Sequence, residues 1–252
     1  MKLSKTIAGL TLGLVALATM AFTYKSNQST SSGTTGTVGE NFVPKDQKKD
    51  NLLTSENSIL LVIDWQDEML GMVRNINKEV LTNNIQAMIK TANVFNIPVI
   101  ESTIGVELGA NQPTVPQIKK FIGTEVKNID RVSLNAWQNR LVVDEVKKSG
   151  RKKVIITGLW TSGCPTYTAL DAMEDGYEVY ILTDLMGDVT TEAHNRAIDR
   201  MVQAGAIPFT WEGAGAEILR SYTNPKAMQD DDVEGGFVEI MKEHFYPFAG
   251  KY

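Results

Sequence analysis

Apolar residues follow two alternating rhythms along this chain. A continuous apolar run at 58–64 (SILLVID) ends in an acid, and further strand-like stretches lie at 97–103 (IPVIEST), 152–158 (KKVIITG), 177–184 (YEVYILTD) and 206–211 (AIPFTW). A continuous run of this kind suits a parallel strand buried on both faces. Between them the apolar positions recur every three or four residues. Leu81, Ile85, Met88, Ile89, Ala92 and Phe95 mark one face of a helix over about 78–95, and Ala193, Ala197, Ile198 and Met201 one over 191–204, stopped by Gly205. A helix at about 138–149 and a short strand around 126–131 complete the pattern. Gly, Asn and Pro make 105–116 a loop. The segment 212–252 has no regular period, and its acidic cluster from Asp230 to Asp232 reads as a solvated loop. Strands alternating with helices predict an α/β fold with three α/β/α layers around a doubly wound, mostly parallel sheet.

One stretch of this pattern carries chemistry. In KVIITGLWTSGCPTYTALDAMEDG, residues 153–176, a strand enters a turn containing Gly158 and Gly163 and leaves as a helix that ends at Gly176. Cys164, the only cysteine, opens that helix, and Pro165 fits its first turn, where a missing N–H costs nothing. Free N–H groups and the helix dipole there favour a thiolate below the free-thiol pKa of about 8.5. The alternative is a small buried hydrophobe. In the commonest doubly wound order the first and fourth strands are neighbours, and ligands bind beyond their carboxyl ends. Asp64 ends the first strand and Cys164 follows the fourth, so the two face one crevice. Asp64 is then a candidate general base and Cys164 a candidate nucleophile. Arg131, ending the third strand, is a candidate cation. The N–H groups of Trp160 and Cys164 are candidate oxyanion donors, and Gly158 and Gly163 would let that backbone approach a substrate.

Composition narrows the field. A hydrophobic content of 42% supports a folded core. A net charge of −5 without a long Lys/Arg run argues against nucleic acid as the main partner. Lys2 and Lys5 precede an apolar run from Ile7 to Phe22 that ends among small residues, the order of a secretory signal over 1–23. The run is short of the roughly 20 residues of a bilayer span, although an uncleaved anchor is the alternative. Residues 24–57, rich in Ser, Thr and Gly, read as a flexible linker, and 58–252 as the folded domain. A periplasmic or secreted location follows, with no stable membrane span after cleavage. One cysteine forms no internal disulfide. His194 and His244, far apart and without a carboxylate cluster, make a weak metal site. His194 reads as structural or as a subunit contact. No nucleotide-binding glycine motif follows any strand, so no cofactor is implied.

The segments LLVIDWQ, IDRVSLNAWQN, VIITGLWTSGCPTYTALDAMEDGYEVYILTD and HNRAIDRMVQAGAIPFTW together resemble the isochorismatase-like cysteine hydrolases over about 58–211. The third is the specific one. The resemblance implies an Asp–Lys–Cys triad with Asp64 as base and Cys164 as nucleophile. It also implies a cis peptide at Leu159–Trp160, which would aim the Trp160 N–H into the oxyanion hole. The family lysine falls on Arg131, which keeps the charge but cannot release a proton; Lys127 is the fallback. No histidine follows the second strand, which disfavours a nicotinamidase. Asn135 to Trp137 resemble the small uncharacterised hydrolases of the superfamily, which tend to be homo-oligomers. The expected activity is metal-independent cleavage of a small amide or related C–N bond. A vinyl-ether hydrolase and a non-catalytic oligomeric member are the rivals. A redox thiol is weaker, for want of a resolving cysteine. Trp65, Gln66, Asn135, Trp137 and Thr161 are the expected pocket, with Trp160 beside them; core packing is the alternative for the tryptophans.

Overall fold

The computed structural model describes residue 43, residues 45–228 and residues 236–248. The predicted signal segment, most of the linker and the acidic cluster lie outside the described residues. Six strands, β1 (Ser58–Ile63), β2 (Val99–Ile104), β3 (Asn128–Arg131), β4 (Lys153–Leu159), β5 (Glu178–Gly187) and β6 (Ile207–Phe209), form one sheet in the order β3-β2-β1-β4-β5-β6. Every neighbouring pair is parallel. The winding reverses between β1 and β4, as the pattern predicted.

The helices are α1 (Asp67–Met72), α2 (Lys78–Val94), α3 (Pro116–Ile122), α4 (Arg140–Ser149), α5 (Cys164–Glu174), α6 (Thr191–Gln203), α7 (Trp211–Leu219) and α8 (Phe237–Ile240). Alternation along β1 assigns the layers. Leu60 and Val62 pack with residues of α2, α3, α7 and α8 on one face. Ile59, Leu61 and Ile63 pack with α4, α5 and α6 on the other. The fold is therefore three-layer α/β/α. Each such buried aliphatic side chain contributes about 1.5–3 kcal/mol, which explains why the central strands carry no polar alternation. Local signals set the ends of the long helices. Asn77 caps α2 by accepting the N–H groups of Glu79 and Val80, and Gly150 ends α4 with φ 68°.

The structure departs from the sequence expectation in three places. The folded unit begins before Ser58: Leu53 is fully buried, its N–H donates to Glu217, and Asn57 binds the carbonyls of Asp50 and Leu52. The predicted linker is thus packed over its last residues. Helix α3 starts on Pro116, at the end of the segment read as a loop. The stretch after β6 is more regular than its composition suggests. Helix α7, WEGAGAEIL, hides its period behind glycines that are needed for packing, since a Cβ on Gly215 would sit 2.3 Å from the Phe237 ring.

The C-terminal stretch is fastened through a buried histidine. His244, in a π-helical turn at Met241–Phe245, is 3% exposed and donates from Nδ1 to Asn83 Oδ1 at 2.8 Å. Burial, helped by nearby Lys90, pushes the ring down to about 4 against the pull of Glu243. An unfolded chain takes up this proton below about 6.5. Between about 6.5 and about 4 the unfolded state therefore binds more protons, and stability falls as the pH drops through that window. Melting followed by circular dichroism should show this fall, with a shallower slope for His244→Asn; an equal slope would place the titration elsewhere.

Candidate active site

Three strand ends bring Asp64, Arg131 and Cys164 together. Strict alternation would turn Asp64 toward the α2 layer, with Leu60 and Val62. Instead Asp64 adopts φ 57°, a left-handed conformation that aspartate tolerates better than most residues. Its carboxylate swings to the Cys164 side, and Trp65 goes to the α2 layer. Arg131 ends β3 and donates from Nη2 to Asp64 Oδ2 at 2.6 Å, and both side chains are fully buried. Its Nη1 lies 3.5 Å from the Thr103 carbonyl. The other carboxylate oxygen, Oδ1, is buried without a hydrogen-bond partner. Cys164 opens α5, 7% exposed. Lys127 is exposed and makes no ion pair among the described residues, so the cation beside Asp64 is Arg131.

Burial dominates the electrostatics. It pushes Asp64 up to about 7 against the pull of Arg131 and of the Cys164 thiol. Burial and then the Asp64 charge push Cys164 up to about 12, outweighing Arg131. The buried site therefore rests with a neutral thiol at pH 7, contrary to the thiolate expected from the helix start. A single helix end offsets about 1 kcal/mol, less than the cost of burying a thiolate beside a carboxylate. The two groups titrate as a pair, with one oxygen of Asp64 free to take a proton.

The turn between β4 and α5 contains the cis peptide Leu159–Trp160. The N–H groups of Thr161, Ser162 and Gly163 donate to Gly187 O, Asp188 Oδ2 and Trp160 O. That of Trp160 meets no backbone acceptor among the described residues, and that of Cys164 acts on its own sulfur, opposing the rise of the thiol's pKa. Gly158 is close to protein rather than open to a substrate: a Cβ there would lie 2.6 Å from the Ile63 carbonyl oxygen.

The expected pocket residues are mostly committed elsewhere. Trp65 is buried in the α2 layer, away from Cys164. Gln66 clamps the 105–113 loop, donating to the carbonyls of Ile104 and Gln112 and accepting the Ile104 N–H. Asn135 caps a 3₁₀ turn at Ala136–Gln138 and donates to Asp171 at 2.6 Å. Trp137 donates to Asp175 and stands edge-on to Tyr177. Thr161 is fully buried between Gly187 and His194. Trp160 is half-buried, its indole N–H donating to Met69 O. The pattern missed Asp188, which is fully buried and binds the N–H groups of Ser162 and Val189. Its signal was an acid just past the end of β5, the same position that marked Asp64 on β1. Among the described residues no three His, Cys, Asp or Glu side chains converge as a metal set.

The profile of the isochorismatase domain matches residues 58–213, from the first residue of β1 into α7. The chain belongs to the isochorismatase family. As a family member it is 34% identical to the probable hydrolase YcaC of Escherichia coli strain K12 over 183 residues, which cover 73% of this chain and 84% of that protein. A structure of YcaC from Pseudomonas aeruginosa with hexane-2,5-diol and covalent acrylamide superposes with a TM-score of 0.71 at 32% identity, over 79% of this chain and 94% of that one. The structure of the Escherichia coli YcaC gene product, an octameric hydrolase of unknown specificity, does so with a TM-score of 0.71 at 33% identity, over 79% and 93%. Within this isochorismatase-family chain the expected triad positions converge, and arginine occupies the third.

Proposed function

We propose that this protein is an exported cysteine hydrolase that cleaves a small amide or related C–N bond through a thioester. The observation that carries the reading is the convergence itself. A buried carboxylate has one oxygen held by Arg131 at 2.6 Å and the other unpartnered, beside a thiol at the first position of a helix. Asp64 Oδ1 takes the thiol proton as sulfur attacks the substrate carbonyl carbon. The N–H groups of Trp160 and Cys164 receive the oxyanion. Asp64 returns its proton to the leaving nitrogen as the C–N bond breaks. Water, deprotonated by Asp64, then attacks the thioester, and the departing sulfur regains a proton from Asp64. Arg131 balances the carboxylate charge throughout and moves no proton. This chemistry asks for no metal.

The covalent acrylamide on the Pseudomonas relative supports a nucleophile in proteins of this kind. The octameric relative supports a homo-oligomer here. Export rests on the signal pattern of residues 1–23, and the mature N-terminus should start soon after Ala21.

Incubation with a panel of small amides and with isochorismate, followed by mass spectrometry of the intact chain, tests the reading. An acyl group gained on Cys164 is the expected result. Turnover of isochorismate that persists in Cys164→Ala would replace it with vinyl-ether hydrolysis.

A further inference from the structure

The two N–H groups assigned to the oxyanion flank residues 161–163, and one tether on that turn comes from a side chain on α6. The Thr161 hydroxyl lies 3.2 Å from Gly187 O and 2.9 Å from His194 Nδ1. A carbonyl oxygen only accepts, so Thr161 gives its hydrogen to Gly187 and its lone pair faces the ring. His194 Nδ1 therefore carries a hydrogen and donates to Thr161 in either charge state. The other polar groups of Thr161 are also engaged. Its N–H donates to Gly187 O at 2.9 Å, and its carbonyl accepts from the Thr166 hydroxyl at 2.6 Å. Next to it, the Ser162 N–H donates to Asp188 Oδ2 at 2.7 Å. The ring is half-buried, and burial draws its pKa down against the pull of Asp188. Trp160 and Cys164 thus border a segment whose orientation is fixed on β5, α5 and α6 together.

We infer that His194 is a positioning residue for the oxyanion turn, acting through Thr161 on the N–H groups of Trp160 and Cys164. The inference rests on the hydrolase reading of Cys164 and adds a residue to its machinery. His194 touches no reacting atom. Its contribution is to hold Thr161, so that the flanking N–H groups keep one direction.

Two reactions of the same sulfur separate this role from plain stability. Alkylation by iodoacetamide displaces iodide at carbon and develops no oxyanion. A simple aldehyde such as propionaldehyde forms a hemithioacetal: sulfur bonds to the carbonyl carbon, the C=O π bond opens, and the thiol proton passes by way of Asp64 to the oxygen, which occupies the donor site. The experiment measures the iodoacetamide rate at Cys164 and its suppression by propionaldehyde in the full chain, with melting curves alongside. His194→Ala should weaken the aldehyde's protection roughly tenfold, less than the hundredfold or more of losing a donor outright, and change the free alkylation rate by less than about twofold. His194→Asn, whose side-chain N–H comes near the Nδ1 position, should restore most of the protection. Unchanged protection in His194→Ala overturns the inference, as does a loss of protection that only tracks the melting temperature or that His194→Asn leaves unrescued. Failure of propionaldehyde to protect the wild-type chain would overturn the oxyanion assignment itself, before any variant is made, and the inference with it.

Discussion

Cys164→Ala is expected to abolish amide turnover while leaving the melting temperature within a few degrees, and Asp64→Asn to lower it by about 10²–10⁴, the range for a positioned general base. The first follows from the thiol being the group that would form the thioester. Its loss is also tolerable to the fold, because the side chain is small, 7% exposed, and opens a helix rather than filling the middle of its layer. The second follows from the resting state. With the thiol pushed up to about 12, almost no thiolate exists at pH 7 without a base, and Asp64 is the carboxylate whose charge and hydrogen bond act on the thiol. Asparagine keeps the shape and removes the base. The pH profile separates the roles. Asp64 is pushed up to about 7, so turnover should rise as pH increases through 7 and the carboxylate loses its proton. Stability runs the other way. A carboxyl that ionises near 3.8 when unfolded and near 7 when folded binds more protons in the folded state between those values, so its contribution to stability falls as pH rises across them. A turnover profile governed instead by an ionisation near 8.5 would mean an ordinary thiol, and activity retained by Cys164→Ala would end the thioester mechanism.

The fold was legible because its signal is redundant. Strand β1 at the centre of the sheet is apolar from Ile59 to Ile63, with apolar side chains for both faces, and its neighbour β4 is mostly apolar as well. The pairing of Asp64 with Cys164 was legible for a topological reason, since sheet order alone places the ends of β1 and β4 side by side. What the pattern does not encode is the direction of a side chain at a strand end. One left-handed residue, Asp64, reverses the alternation and moves Trp65 from the expected pocket into the core. Trp137 and Asn135 sit close to α5 in space, but their polar atoms are spent on Asp175 and Asp171, contacts between residues more than thirty apart in sequence. The thiol's protonation was misjudged for a similar reason. The helix start is visible in the sequence, whereas the burial that outweighs it depends on the packed layers. Helix α7 was hidden because its glycines, read locally as breakers, are contact points for Phe209 and Phe237.

Gly158→Ala should damage both stability and chemistry through one contact. Gly158 pairs with Ile63 where β4 and β1 meet at the centre of the sheet. A methyl group there would lie 2.6 Å from the Ile63 carbonyl oxygen and 2.7 Å from the Ile63 Cβ. The oxygen and Cβ of a fully buried strand residue cannot swing aside as a flexible side chain could, so the two strands must separate locally. Overpacking of this kind costs about 1–3 kcal/mol and sometimes more, which for a chain of this size lowers the melting temperature by roughly 2–4 °C per kcal/mol. The functional loss should exceed the stability loss. Ile63 directly precedes Asp64, whose N–H donates to Ser102 O at 2.9 Å and whose carboxylate depends on a left-handed backbone to reach Arg131. Displacing Ile63 turns that carboxylate away from the thiol, and a misplacement of about 1 Å can cost a hundredfold in rate. Gly150→Ala provides the contrast. That glycine is also left-handed, with φ 68°, but nothing lies within 4 Å of its added methyl and it ends α4 far along the chain from Asp64. It should lose stability of the order of 1 kcal/mol from backbone strain and keep its turnover. Equal turnover losses in the two variants would show that the Gly158 effect is general destabilisation rather than displacement of Asp64.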